Sequence, residues 1–535
     1  MMMYHTKGRD LEQQYLLPVN IKEWLPEDDF SHIIIDIVSV LDLDAIYSTY
    51  RQDGQGAAFY RPEIMTGLTI YSYVRGARSS REIERLCKYD VGYRIVSRNS
   101  YPDHTTISRF FQNHGSTLGN LFVQILRLMN EAGIVSNKVL ALDGTKLKAN
   151  ASLNANMTYE KLESAINARI NEILSKDAEE DALYGSDQSG DELPECLRTR
   201  DERIRRFRAA KQRLDEEQKL QSDETRGKIQ SREEEETKTG RKKRGRKPKP
   251  PRETPAPEVV ANTTDPDSSI MKSGTSHIQG YNAQALANQD GIILVPSVTN
   301  SAVDYNQLDL MIRELFAIAE QTGISLTNPI VLTDAGYWRY QNYLAMVNQP
   351  LQFLCSTRHE RDIFLIQGSP RTLLEVEDVC SGDPHTTHCP AILAACGDWC
   401  FRHLFSENGT PSPAAIARKI METKMEPASM KKQYSMRKAI IEPVFGWIKE
   451  NRGMRKLQRR GLIQCDDEWK LICTTQNLRT VMTRGWVGKI RSVIMEKKNK
   501  IFDEGMGSLS GLIDLCVGRF SLNGISLTQF TLSAS

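Results

Sequence analysis

The sequence predicts a mixed α/β sheet flanked by helices, preceded by an all-helical N-terminal region and interrupted by a long charged insertion. Three observations carry this expectation. Apolar residues recur at helical spacing through roughly the first 135 residues. Short apolar runs bounded by turn residues then alternate with helical patterns as far as Cys355. Between Leu153 and Ser269, Glu, Lys, Arg and Gln displace the apolar periodicity.

From Ser31 to Leu43, Ile34, Ile37, Val38 and Leu41 follow the i, i+3, i+4, i+7 rhythm of a helix. Ser79 and Glu82 have capping-box spacing and open another helix through Leu86. Asp103 is placed to cap a helix carrying Ile107, Phe110 and Phe111, and the pattern from Leu121 to Leu128 stays helical. Early in that helix stand Thr105, Thr106, Ser108 and Arg109, types that contact bases or phosphates; plain helical packing is the equal alternative.

The period changes at Val139–Leu142, an apolar run that suits a buried strand ending at Asp143-Gly144. Tyr281–Ala287 and Ile292–Val298 predict two strands around a turn at Asn288–Gly291. A helix from Tyr305 to about Gln321 gathers Leu308, Met311, Ile312 and Leu315 on one face. Ile330–Leu332 predicts a strand ending at Thr333-Asp334, and Leu351–Cys355 one more. Residues 158–235 read as a long exposed helix or coiled-coil hairpin. The basic run from Gly240 to Pro250 and the Pro-rich stretch after it cannot bury enough apolar surface to fold alone, so 236–262 reads as a disordered linker. Arg244-Gly245-Arg246, with Lys242 and Lys243 before it, resembles an AT-hook for a narrow minor groove; a solvated basic linker is the alternative.

A chain of 535 residues exceeds one compact core, and two to four structural units are expected. The net charge of +2 is too small to announce a nucleic-acid partner, but basic residues cluster locally. No apolar run suits a signal peptide or a membrane span, and ten scattered cysteines fit a reducing cytoplasm better than a disulfide framework. Cys380, Cys389, Cys396 and Cys400, around His385 and His388, lack a CxxC knuckle, so structural zinc is not expected.

Asp143 and Asp334 each follow a predicted strand, at the rim where open α/β sheets bind ligands, and together could share Mg²⁺, which takes oxygen ligands. Alone, each also fits a turn or a helix cap. A third acid, Glu442, lies in an apolar-striped segment crowded by Arg437, Lys438, Lys449, Arg452 and Arg455. Glu442 and Lys449 are about two helical turns apart and share a face. A metal-holding acid ringed by phosphate-holding cations is what a nucleic-acid backbone requires; a solvated ion-pair partner is the plainer reading.

Leu140-Ala-Leu-Asp143-Gly-Thr-Lys, Val331-Leu-Thr-Asp334-Ala-Gly-Tyr-Trp and Ile441-Glu442-Pro-Val-Phe-Gly-Trp-Ile-Lys449 resemble the three acidic motifs of bacterial insertion-sequence transposases of the DDE class. Asp265-Pro-Asp-Ser-Ser-Ile-Met-Lys, Gln279-Gly-Tyr-Asn-Ala-Gln and Tyr101-Pro-Asp-His-Thr-Thr-Ile-Ser-Arg-Phe resemble further motifs of one large group in that class. The resemblance implies an RNase H-like core, with Asp143, Asp334 and Glu442 as catalytic ligands of two Mg²⁺ (or Mn²⁺) ions. It implies double-stranded DNA as partner, both terminal repeats and target, bound by a homodimer on paired ends in the bacterial cytoplasm. Arg109, Arg244, Arg246, Tyr434, Arg437, Lys438, Lys449, Arg452 and Arg455 are the expected DNA contacts. Tyr434, Arg437 and Lys449 match a Tyr/Arg/Glu/Lys signature around the third acid. In some relatives one residue fewer separates that Arg from the Glu, so either Arg437 or Lys438 faces the phosphate, and Pro443 sets a helix start or kink at Glu442.

On this reading residues 1–135 are a helical DNA-binding domain, and 136–153 with 270–355 form the first part of the core. Residues 154–269 are the charged insertion, 356–430 a cysteine-bearing insertion, 431–485 the Glu442 helix of the core, and 486–535 a tail. An RNase H-like repair or junction nuclease, and a non-catalytic DNA-binding descendant of a transposase, are the alternatives.

Overall fold

The hairpin expected around Asn288 is the middle of a six-stranded mixed sheet in the computed structural model, which describes residues 20–51, 58–168, 171, 195–240, 242, 247–357 and 413–500. The strands are β1 (Val139–Lys148), β2 (Asn156–Thr158), β3 (Val260–Asn262), β4 (Ser269–Ser273), β5 (Ser276–Asn288), β6 (Ile293–Thr299), β7 (Ile330–Thr333) and β8 (Gln352–Cys355). β5 pairs antiparallel with β4, β6 and β1; β1 continues the sheet parallel to β7, and β7 parallel to β8. β2 and β3 form a separate two-stranded sheet. β5 is buried along both faces from Ile278 onward, which is why its sequence lacks a clean apolar–polar alternation.

The N-terminal helices are α1 (Phe30–Val38), α2 (Asp44–Tyr47), α3 (Pro62–Arg75), α4 (Ser80–Tyr89), α5 (Val91–Val96) and α6 (His104–Glu131). Asp103 caps α6 as expected, accepting from the Thr106 N–H at 2.8 Å. Ser79 stands at the N-cap of α4, yet its side chain makes no cap hydrogen bond. Beyond the insertion come α9 (Leu308–Thr322), α10 (Tyr340–Val347), α11 (Pro413–Met425), α12 (Ala428–Gly446), α13 (Leu462–Thr483) and α14 (487–500). No helix among the described residues is long and apolar enough to cross a membrane.

One hydrophobic core runs from Ile33 to Ile494. α13 causes this continuity: it buries Trp469, Leu471, Ile472, Leu478 and Val481, too many for one face. It therefore packs against β6 on one side and α3 and α6 on another. The boundary expected near residue 135 is a change of secondary structure and not of core. Asp265 and Asp267 anchor the start of α13. Buried Asp265 accepts from the Tyr281 hydroxyl at 2.8 Å and the Gly461 N–H at 3.0 Å, and Asp267 accepts from the Leu462 N–H at 2.9 Å.

The charged insertion contains α7 (159–168) and α8 (Glu195–Thr239, 45 residues), with a small core of its own made by Tyr159, Leu162, Ala210, Leu214 and Ala261. The disordered linker expected over 236–262 is corrected in its described part. Residues 247–262 return along α8, where Gln218 and Ser222 donate to the Arg252 carbonyl, and β3 pairs with β2. Polar side chains of α8 supply the partners that the linker's own sequence lacks. Arg244 and Arg246 lie outside the described residues, as do the four expected cysteines with His385 and His388.

Candidate active site

β1 and β7 run parallel with Leu142 opposite Thr333, so the next residue on each chain, Asp143 and Asp334, falls side by side. Asp143 lies within β1, which continues to Lys148, and the strand end expected at Asp143-Gly144 is not there. Gly144 serves close packing instead. A Cβ at that position would collide with the Gln284 amide and stand 2.7 Å from Asp304 Oδ1. β7 does end at Thr333, and Asp334 caps the 3₁₀ turn Ala335–Tyr337 by accepting from the Gly336 N–H at 3.0 Å. The cap and the candidate ligand are thus one residue.

Asp143 is held at a cost. Its side chain is 22% exposed, and burial, then the Asp334 charge, push its carboxyl up to about 6, while Arg437 pulls the other way. Arg437 Nη1 lies 3.3 Å from Asp143 Oδ2 with its side chain 6% exposed. One turn earlier on α12, the Tyr434 hydroxyl donates to the Thr333 carbonyl at 3.1 Å, and burial pushes that phenol up to about 12. α12 therefore fastens the middle of β1 to the end of β7. Of the two cations offered by the sequence, Arg437 turns inward onto the acid and Lys438 is exposed.

Glu442 does not join the pair. It is exposed, and lies about 140° around α12 from Arg437. The leading charges on Asp143 are those of Asp334, Arg437 and Asp304. Among the described residues no three His, Cys, Asp or Glu side chains are grouped to hold a metal ion. Nor does α12 begin or break at Glu442. It runs through Pro443, and the irregularity falls later, as a π turn over Trp447–Asn451.

The remaining expected contacts divide by burial. Lys449 is partly buried, which lowers its pKa, and its ammonium feels both Asp143 and Lys146. Arg455 is exposed and pairs with Glu450, and Arg109 is exposed on α6. Arg452, expected on DNA, is instead 8% exposed inside the core. Its guanidinium donates to the Tyr73 carbonyl at 2.8 Å, Thr475 Oγ1 at 2.5 Å, Gln476 Oε1 at 3.3 Å and the Ile472 carbonyl at 3.4 Å. Five donors in a fixed fork suit a junction of two helices as well as they suit phosphate.

Sequence reasoning missed the polar groups behind the acids. Lys146 Nζ stands 3.5 Å from Asp304 Oδ1, and Asn282 and Gln284 donate to that oxygen at 2.7 and 2.8 Å. A signal existed for the amides, since Asn282 and Gln284 sit two apart between the apolar residues of a buried strand. Nothing in the sequence marked Asp304.

Two family models match the chain. A transposase domain (DUF772) covers residues 19–113, and a transposase DDE domain covers residues 398–482, taking in Tyr434, Arg437, Glu442 and Lys449. Asp143 and Asp334 lie outside both matched segments. Comparison with curated proteins and with solved structures finds no match. A transposase domain on the N-terminal helices and a transposase DDE domain on the segment that contains Glu442 support a DDE-class transposase of an insertion sequence.

Proposed function

We propose that this protein cuts DNA at the ends of its element and joins the freed 3′ ends to target DNA, with Asp143, Asp334 and Glu442 as ligands of divalent metal. The observation that carries the reading is the adjacent, partly buried Asp143–Asp334 pair, in which burial and the Asp334 charge push the Asp143 carboxyl up. Two poorly solvated carboxylates repel each other, and a hard divalent cation relieves both penalties. Their oxygen donors and partial opening to solvent fit Mg²⁺ or Mn²⁺, which keeps several waters. When bound, two such ions supply Lewis-acid stabilisation of an in-line displacement at phosphorus.

The chain's own residues do the positioning. Tyr434 and Arg437 hold β7 and β1 in register under α12. Lys449 sets positive charge near Asp143 for DNA phosphates, and Arg455 beside it, with exposed Lys438 and Arg109, extends that charge. Arg244 and Arg246 would add minor-groove contacts. Glu442 enters through the DDE-domain match that spans it; from its exposed place it reaches the pair only if α12 shifts, a change that metal and DNA would drive together. The mixed sheet flanked by helices supports an RNase H-like core.

The test uses the purified protein, DNA carrying the element's ends, a target plasmid and Mg²⁺. Joined products are expected, with Asp143→Ala, Asp334→Ala and Glu442→Ala each slowing cleavage about a thousandfold while DNA binding persists. Cleavage that survives in the Asp143→Ala protein would refute the metal reading. Cleavage without joining would leave a nuclease in place of a transposase.

A further inference from the structure

We propose that Asp304 is a positioning residue for the acid pair, tying the strand of Asp143 and the turn of Asp334 into one frame; this rests on the metal-dependent reading above. Strand period and register place Gly144, Lys146, Asn282 and Gln284 on one face of the sheet, the face away from the Asp143 side chain. Asp304, just before α9, lies against that face. Its Oδ1 accepts from Asn282 Nδ2 at 2.7 Å and Gln284 Nε2 at 2.8 Å, with Lys146 Nζ at 3.5 Å. Lys146 follows Asp143 on β1, so this ion pair fixes the first acid's strand.

The other arm leads to Asp334. Gln284 Oε1 accepts from the Tyr337 hydroxyl. Tyr337 is fully buried and closes the 3₁₀ turn that Asp334 caps; its own carbonyl accepts from Asn342 Nδ2 at 2.8 Å. A continuous chain of hydrogen bonds thus runs from the turn after Asp334, through Tyr337 and Gln284, to Asp304 and back to β1. Gly144 leaves the space that lets the carboxylate approach.

A purely structural account explains this poorly. Asn282 and Gln284 are both 0% exposed, and a strand that needed only to pack would do so with apolar side chains at less desolvation cost. Both amides instead aim at one carboxylate whose charge acts on Asp143 and Tyr337. Partners behind metal-binding groups commonly carry affinity in this way, because they fix the orientation of the ligands in front of them.

The experiment is a Mn²⁺ titration of the full-length protein without DNA, followed by electron paramagnetic resonance, with thermal melting alongside. The parent is expected to bind Mn²⁺ and Asp143→Ala to lose it. Asp304→Asn and Tyr337→Phe are expected to melt cooperatively and to bind Mn²⁺ about tenfold more weakly, with DNA cleavage recovering at high Mn²⁺. Parent-like Mn²⁺ binding in Asp304→Asn overturns the proposal. If that variant does not fold, parent-like binding in Tyr337→Phe overturns it. The Asp143→Ala control separates the two readings. Mn²⁺ held equally by that control defeats the metal site itself, whereas loss there with parent-like binding in the other two defeats only the role of Asp304.

Discussion

At Asp143 the folded chain holds a proton more tightly than the unfolded chain does, with a pKa of about 6 against about 3.9 for an exposed aspartate. Between those values the native state binds more protons, so metal-free stability falls as pH rises from about 4 to about 6. The loss is about 2–3 kcal/mol in order of magnitude for this side chain, which is 22% exposed. In EDTA, Asp143→Asn is therefore expected to resist urea better than the parent at pH 7.5, by about 2 kcal/mol, with the difference gone at pH 4. Equal midpoints at both pH values would contradict this account. Arg452 makes the opposite case, a cation whose partners are all internal. Arg452→Met would leave the Tyr73 carbonyl, Thr475 and Gln476 buried with fewer donors and destabilise the fold by about 2–4 kcal/mol. The folded fraction should bind DNA as the parent does in a gel-shift titration; a large loss of affinity there would return Arg452 to the DNA surface.

At the scale of elements, β1 shows what local pattern could and could not convey. The apolar run Val139–Leu142 was legible as a buried strand, and so were the hairpin of β5 and β6, the α9 helix and β7. Asp143-Gly144 read as the strand's end because glycine usually marks a turn, whereas here it allows Asp304 and Gln284 to approach a strand that continues. Gly144→Ala should for that reason cost about 2–3 kcal/mol of stability by overpacking, measurable as a lowered denaturant midpoint. An alanine variant as stable as the parent would show that the network yields. α12 carried a similar ambiguity. Its segment was legible as basic and apolar-striped, but Pro443 suggested a break that tertiary contacts override, with Ile440, Ile441, Val444 and Phe445 all buried across it.

Across the whole molecule, a helical N-terminal region and a sheet-containing remainder share one interior, because α13 is covered by both. A protein cut to residues 136–500 would uncover the α13 surface that α3 and α6 bury, and is expected to lose its cooperative thermal transition by circular dichroism. A sharp, parent-like melt of that fragment would restore the separate domain expected at residue 135. The succession of elements and the order of the acidic motifs are legible in the chain, since two- and 3.6-residue periods, caps and short motifs are properties of neighbouring residues. The use of each charge emerges from packing: Arg437 on Asp143, Arg452 in the core, Glu442 in solvent and Asp304 behind the acid pair. Those outcomes depend on how α12, α13 and the sheet pack, and a cation's sequence neighbourhood looks the same whether it will meet a carboxylate, a carbonyl or a phosphate.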